Sequence, residues 1–537
     1  MCDKKGMPSK ISTLTRRAPF SKNLEQIRQK LRALLPVLEA KPGWYGSIFL
    51  ECKSSRNFSA NLKQTQLSDQ TSMGVVFRIY DGYTLFEEAT DDLEINQLGS
   101  FALSFAKRVG ARTVLPGTTQ AFYSPPTWKE RLSIPLENEI VSQIPNNLTP
   151  ETPVHFGIRY QSDPCQLEVK DYFDKLRKIV LQCKTQALEE GFPADELTYV
   201  VARTNFTQEE SLFLDRETNM SQTLYRLSLS ITTMAGSDRT FCRLGGLGGT
   251  EVIQLEDSEI KTLLNDLKAL RSAGRMKPGK YRVLFGPVLT GVLAHEAFGH
   301  SQEADTCARG RSKAWELHKN NKVVGNHHAT ILNNPAIFEN AGKPFAAWGT
   351  YFFDEEGWLS QAQVLLDQGR LLPPMTNLTS AIRLKIPRTA NGKRESWANG
   401  VYTRQTNTYF SAGKKMREEL MTELGSGFLA LHSAGGMEDP KGMGIQVGIS
   451  FVYEVKDGKL TGRVFKGPAG GDIQMTGYTP DILNSIVDKS KVDFDTPGPD
   501  HSKYPFNDVG GCGKYHKEFV QAGCGGPYVL LDQVILG

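Results

Sequence analysis

No stretch of the 537 residues approaches the run of about 20 apolar residues that a helical membrane span needs. Charge of one sign is missing too. The 63 Lys and Arg stand against 59 Asp and Glu, a net +4, and mean hydropathy is −0.35. That balance gives no electrostatic footprint for nucleic acid or a membrane surface, so neither is expected as a partner. Cysteine is scarce: eight residues, at 2, 52, 165, 183, 242, 307, 512 and 524, with no C-x-x-C and no framework spacing. A reducing, cytoplasmic setting follows, and the sequons at Asn57, Asn147, Asn205, Asn219 and Asn377 carry no weight there. The opening twenty residues are basic and hydroxyl-rich with no apolar h-region, which reads as a tail and not as a secretory signal. Repeats and low-complexity tracts are absent as well.

What is present is patterned at two periods. Leu24, Ile27, Leu31, Leu34, Leu35 and Leu38 follow helical spacing over 23–39, with Pro36 a candidate kink. Strands are expected at 47–52, 58–67 and 73–80, and Asp81-Gly82 signals a hairpin. A helix over 94–108 follows. Residues 112–164 hold eight of the 27 prolines and read as a connector with a short helix. A second long helix centres on 172–183, strands are expected at 197–203, 210–215 and 223–233, and a helix at 258–273 capped by Ser258. Gly245-Gly246-Leu247-Gly248-Gly249 lacks the Lys-Ser/Thr of a phosphate loop and reads as a flexible connection. The last half is strand-rich: 363–366 with 371–372, 445–455 paired with 460–465, and 528–535.

The expected class is α+β: an N-terminal antiparallel sheet with covering helices, then a strand-rich C-terminal catalytic domain. The expected boundaries are 1–40 for a tail and first helix, 41–275 for the N-terminal domain including the connector, and 276–537 for the catalytic domain.

The chemistry concentrates in His295-Glu296-Ala297-Phe298-Gly299-His300. Imidazoles bind Zn²⁺, and a carboxylate beside the metal can deprotonate bound water. In H-E-x-x-H both His share a helical face; here the spacing is one residue longer. Five residues advance roughly 500°, leaving His300 about 140° from His295 around a regular helix. The pair can share a metal if a π-type turn widens the helix, or if it ends before His300, which Gly299 would ease. The lead-in supports a built site: a strand at 281–285, a break at Gly286-Pro287, and Val288, Leu289, Val292 and Leu293 at helical spacing. His327-His328 is a rival pair, but neighbours in a strand point to opposite faces.

The segment KPGKYRVLFGPVLTGVLAHEAFGHSQEAD resembles the catalytic segment of the TldD/PmbA family of metallopeptidases, whose signature is HExxxH with a third ligand from a C-terminal Cys. WGTYFFDEEG (348–357), KRESWANGVYTRQTNTYF (393–410) and GGCGK (510–514) extend the resemblance, and MGVVFRIYDGYTLFEEATDDL (73–93) continues it more loosely. The family implies a zinc peptidase that cleaves small or unfolded peptides held in extended form. His295, His300 and Cys512 would be the metal ligands, and Glu296 the general base on the metal-bound water and later the acid to the leaving amine. Imidazole plus thiolate suits zinc, and three ligands leave room for water.

Glu303 and Asp305 stand where the family has acidic residues, and read either as support for an imidazole or as an exposed turn. Arg394, Glu395 and Asn407 are candidates for contact with substrate main chain. Cys512 and Cys524 both lie among glycines, and spacing does not choose between them; Cys512 carries the family motif, and Lys514 would favour its thiolate. Members pair an active subunit with a homologue lacking the metal motif, so the implied partners are a homodimer or such a heterodimer, with peptide as substrate. This chain departs from the pattern at Ser301-Gln302, at Ala304 and at 515–518, which bears on substrate choice. Two other readings are a degenerate, scaffolding metal-binding subunit and a dedicated peptide-maturation amidase.

Overall fold

The computed structural model describes residues 15–113, 120–193, 197–339, 345–491, 508–514 and 517–537. Residues 1–14 of the expected tail, Cys2 among them, and Tyr515-His516 fall outside those residues, while Arg16–Arg17 of the same stretch forms a short strand against Arg159–Tyr160. The molecule is α+β, built mainly on a seven-stranded sheet in the N-terminal half and ten- and six-stranded sheets in the C-terminal half.

The N-terminal sheet runs Leu85–Thr90, Thr65–Tyr80, Tyr45–Asn61, Leu197–Leu214, Asn219–Ala235 in spatial order. The last of these carries two further partners on its outer side, Val154–Gly157 at one end and Asp238–Leu247 at the other. These strands are longer than the sequence pattern suggests. The strand expected at 58–67 does not exist as such: its first residues end Tyr45–Asn61 and its last begin Thr65–Tyr80, with the turn between them. Side-chain alternation is uninterrupted across the hairpin, so Ile48 and Leu50 share a face with Phe58 and Ala60. Ile48 and Leu50 pack under helices Lys22–Arg32 and Ile95–Gly110, while Phe58 and Ala60 pack under Val169–Glu189.

The first helix is broken: Pro36 sits in the first turn of a separate short helix, Leu35–Leu38, where a missing N–H costs nothing. The connector holds two short helices and also supplies the edge strand Val154–Gly157. Helix Asp257–Arg271 is capped by Glu256 and not Ser258, in a reciprocal box with Glu259. The glycine run is also not a loose connection. Gly245 and Gly246 are paired within Asp238–Leu247, and a Cβ on Gly246 would stand 2.6 Å from the Ala346 carbonyl. Glycine serves close approach there.

In the C-terminal half, Gly279–Phe285 lies inside the ten-stranded sheet between Gly427–Ala430 and Val529–Leu536. The strand expected over 445–455 divides in two. Gly444–Ile449 pairs with Ser433–Asp439 and Ile473–Tyr478, and Val452–Lys456 pairs with Lys459–Lys466. Ser433–Asp439 ends this sheet, and Asp508–Lys514 ends the six-stranded one.

Candidate metal centre

Helix Pro287–Ala294 starts where Gly286-Pro287 breaks the preceding strand, and Thr290 Oγ1 ties it to the carbonyls of Pro287 and Pro527. Gly291 lets it lie on the backbone of 524–525, since a Cβ there would meet the Gly525 nitrogen at 2.2 Å. The helix then widens into a π-type turn over His295–Gly299 and tightens into a 3₁₀ turn at His300–Gln302. The extra residue of the HExxxH spacing is absorbed in that turn, and the two imidazole centroids come within 4.8 Å. Gly299 does not end the helix; its φ of −70° is ordinary. It makes room for Gln405, whose Oε1 would lie 1.9 Å from a Cβ. Gln405 Nε2 donates to the His295 carbonyl, and Thr408 Oγ1 donates to Gln405 Oε1.

Strand Asp508–Lys514 brings Cys512 to the same place. Ligand atoms of His295, His300 and Cys512 all lie within 4.8 Å of one another, and Cys512 Sγ is 3.5 Å from His300 Nε2. Bonds of about 2.0 Å to nitrogen and 2.3 Å to sulfur in a tetrahedral site give an N–S edge of roughly 3.5 Å. His295 Nδ1 is buried with no hydrogen-bond partner among the described residues. Burial alone would raise the Cys512 pKa, but the charges of His300, His295 and Arg404 outweigh it and hold the thiol well below its ordinary value. A thiolate and two imidazoles with an orphaned nitrogen suit a divalent zinc-like ion. Cys524 also borders the cleft but packs against the helix and the C-terminal core, and no disulfide joins it to Cys512.

Glu303 is fully buried and lies 3.3 Å from His300 Nδ1, so it orients that ring. Burial would raise its pKa, but Lys514 and His300 hold it far below the carboxylate range. Lys514 Nζ lies 2.9 Å from Glu303 and donates to Asp305 at 2.5 Å. Lys514 thus serves the two acids, whereas Arg404 donates to the Cys512 carbonyl. Glu296 is 7% exposed and rests on Gly436, where a Cβ would meet its Cγ at 2.6 Å.

His295, Glu296, His300 and Cys512 all face a cleft of about 980 Å³. Helix and π-turn residues line it, together with Ser433–Asp439, Asp508–Lys514 and, from the N-terminal sheet, Asp238–Leu247. Sequence reasoning missed Glu438, which also lines the cleft, on the edge strand facing Ser301. Burial first, then the Glu296 and Glu303 charges, push its pKa well up, although His300 opposes the rise. No local motif marks it.

Arg394 and Asn407 do not line the cleft. Arg394 is buried between Glu87 and Glu355, and Asn407 bonds Asn334, Gly349 and Thr350. Glu395 is exposed, and its carbonyl accepts from Lys53. Gln302 donates to the carbonyls of Leu365 and Leu372, so it too is structural. His327 and His328 sit in a turn and not a strand, with rings 4.0 Å apart, and they belong to no metal-holding group among the described residues.

Residues 278–537 match the family model described as the PmbA/TldA metallopeptidase C-terminal domain. A metalloprotease of Methanothermobacter thermautotrophicus is 27% identical over 369 residues, covering 67% of this chain and 73% of its own length. A metalloprotease TldD homolog of Haemophilus influenzae is 28% identical over 64% of this chain and 68% of its own. A zinc metalloprotease TldD homolog of Saccharolobus solfataricus is 27% identical over 52% of this chain and 55% of its own. Among solved structures, a candidate modulator of a DNA gyrase from Thermotoga maritima superposes with a TM-score of 0.65 at 17% identity, covering 96% of this chain and all of its own. TldE from Thermococcus kodakarensis superposes at 0.61 and 13%, over 95% and 100%. At such identities these two structures speak to the fold alone.

Proposed function

This chain belongs to the TldD/PmbA family of metallopeptidases, and from that premise we propose that it is a zinc-dependent peptidase acting on small or unfolded peptides bound in extended form. The observation that carries the reading is the convergence of His295, His300 and Cys512 in one cleft with Glu296. Those three side chains would hold the metal, and zinc bound there would supply a Lewis acid to acidify water and polarise a carbonyl. Glu296 takes a proton from the attacking water and returns it to the leaving amine. Its packing against Gly436 keeps the carboxylate in the cleft, and Glu303 fixes the His300 ring from behind. Among the described residues the outer edge of Ser433–Asp439 on the cleft is unpaired and open to an extended peptide, which favours main-chain recognition over side-chain selectivity. A second copy, or a homologue of the TldE kind without the metal motif, completes the particle.

Glu296→Gln should keep the metal and lose hydrolysis, by about 10²–10⁴-fold, because the amide keeps the shape and removes the base. Digestion of a peptide library read by mass spectrometry, with parallel metal analysis, tests it. Wild-type turnover in that variant, or cleavage that survives a chelator, would overturn the mechanism.

A further inference from the structure

The cleft has a second wall with no part in the chemistry above. Strand Asp238–Leu247 is an outer strand of the N-terminal sheet, and alternate residues Arg239, Phe241 and Arg243 line the cleft from one face of it. The two guanidinium groups make no ion pair or hydrogen bond among the described residues; Arg243 lies over the Phe241 ring, 4.8 Å from its centroid. Asp472, also lining the cleft, feels Arg239: burial raises its pKa and the Arg239 charge partly offsets the rise. The strand passes the metal-centre strand at Gly245, where a Cβ would meet Val509 at 2.2 Å. At about 3.3 Å per residue, Arg243 lies roughly 7 Å and Arg239 roughly 20 Å along the strand from that crossing.

Along this wall the cleft carries two guanidinium groups against the single carboxylate of Asp472. We propose that the Arg239–Phe241–Arg243 wall is a specificity site for acidic peptide segments, which it binds several residues away from the bond broken. This rests on the peptidase reading and deepens it. Two cations about four extended residues apart accept Asp or Glu side chains at that spacing, and Phe241 between them gives an apolar seat. A peptide of mixed sequence is then set in one register by its charge and not by a pocket at the scissile bond.

The experiment measures binding on the Glu296→Gln background by fluorescence anisotropy. Three labelled twelve-residue peptides are compared, carrying Glu, Gln or Lys at two positions four apart. The Glu peptide should bind about ten-fold tighter than the Gln peptide at low salt, with the ratio shrinking as salt rises. Arg239→Glu with Arg243→Glu should invert the order, so that the Lys peptide binds tightest; a merely structural pair of arginines could not do this. If that double variant does not fold, Arg239→Gln and Arg243→Gln taken singly should each lower the Glu-to-Gln ratio. Equal binding of the three peptides, or a ratio that survives these substitutions, overturns the proposal. Binding is read without turnover, so a wild-type chain that cleaves nothing would count against the peptidase reading and leave this ratio measurable.

Discussion

Cys512 and Cys524 lie on neighbouring strands, each flanked by glycine, yet their sulfurs meet different surroundings. Cys512 faces His300, while Cys524 is pressed on Gly291 of the helix. Cys512→Ala should therefore strip zinc and activity together, by more than the roughly 10–100-fold that losing an outer partner costs. Cys524→Ala should leave metal content largely intact. Metal analysis of the two purified variants decides, and the opposite pattern moves the third ligand. Proximity in sequence points to the Lys514 charge supporting the Cys512 thiolate, but the pairing register shifts between Cys512 and Lys514, and the ammonium is drawn to Glu303 and Asp305. The charges that favour the thiolate come from His300 and His295 and then from Arg404, 108 positions away, which also donates to the Cys512 carbonyl.

Between elements, charge does much of the joining. The sheet face opposite the helices presents Arg78, which meets Glu356 of the C-terminal half at 2.5 Å, with Arg388 on the same carboxylate at 2.7 Å. Burial would raise the Glu356 pKa, but Arg388 and Arg78 outweigh it and hold it at about 2, below the usual 4.5. A depressed carboxylate stabilises the fold above its unfolded pKa and loses that contribution as pH falls through the folded one. Glu356→Gln, which leaves two buried guanidinium groups short of a partner, should cost about 3–5 kcal/mol at neutral pH. The penalty should fade as pH drops from 4.5 towards 2, where the wild-type group is protonated too. Thermal denaturation of both proteins across that range checks it; a penalty constant with pH would mean that Glu356 acts through packing alone.

At the scale of the whole molecule, the outer edge of Leu85–Thr90 is unpaired among the described residues, and such an edge calls for a cover. The active species should read in light scattering at no less than twice 59.6 kDa, or as a complex with a metal-less homologue. An active monomer at assay concentration would remove that expectation. The alternation and helical spacing of apolar residues, together with the Gly-Pro and Asp-Gly breaks, were enough to read an α+β chain with a strand-rich second half. They also supplied the HExxxH stretch and the two ways its awkward spacing could be resolved. Those signals act over a few residues, which is why they survive in sequence. Continuous strands of 16 to 18 residues were read as shorter pieces, because polar positions in Tyr45–Asn61 and Leu197–Leu214 hide alternation that partner strands maintain. Only the folded chain decided that the helix widens at His295–Gly299, where Gln405 fills the space a side chain on Gly299 would need. Only the folded chain set Glu438 and the Arg239–Arg243 wall on one cleft with His300 and Cys512, because contacts across 212 positions are chosen by packing and by the cost of leaving buried charge unpaired.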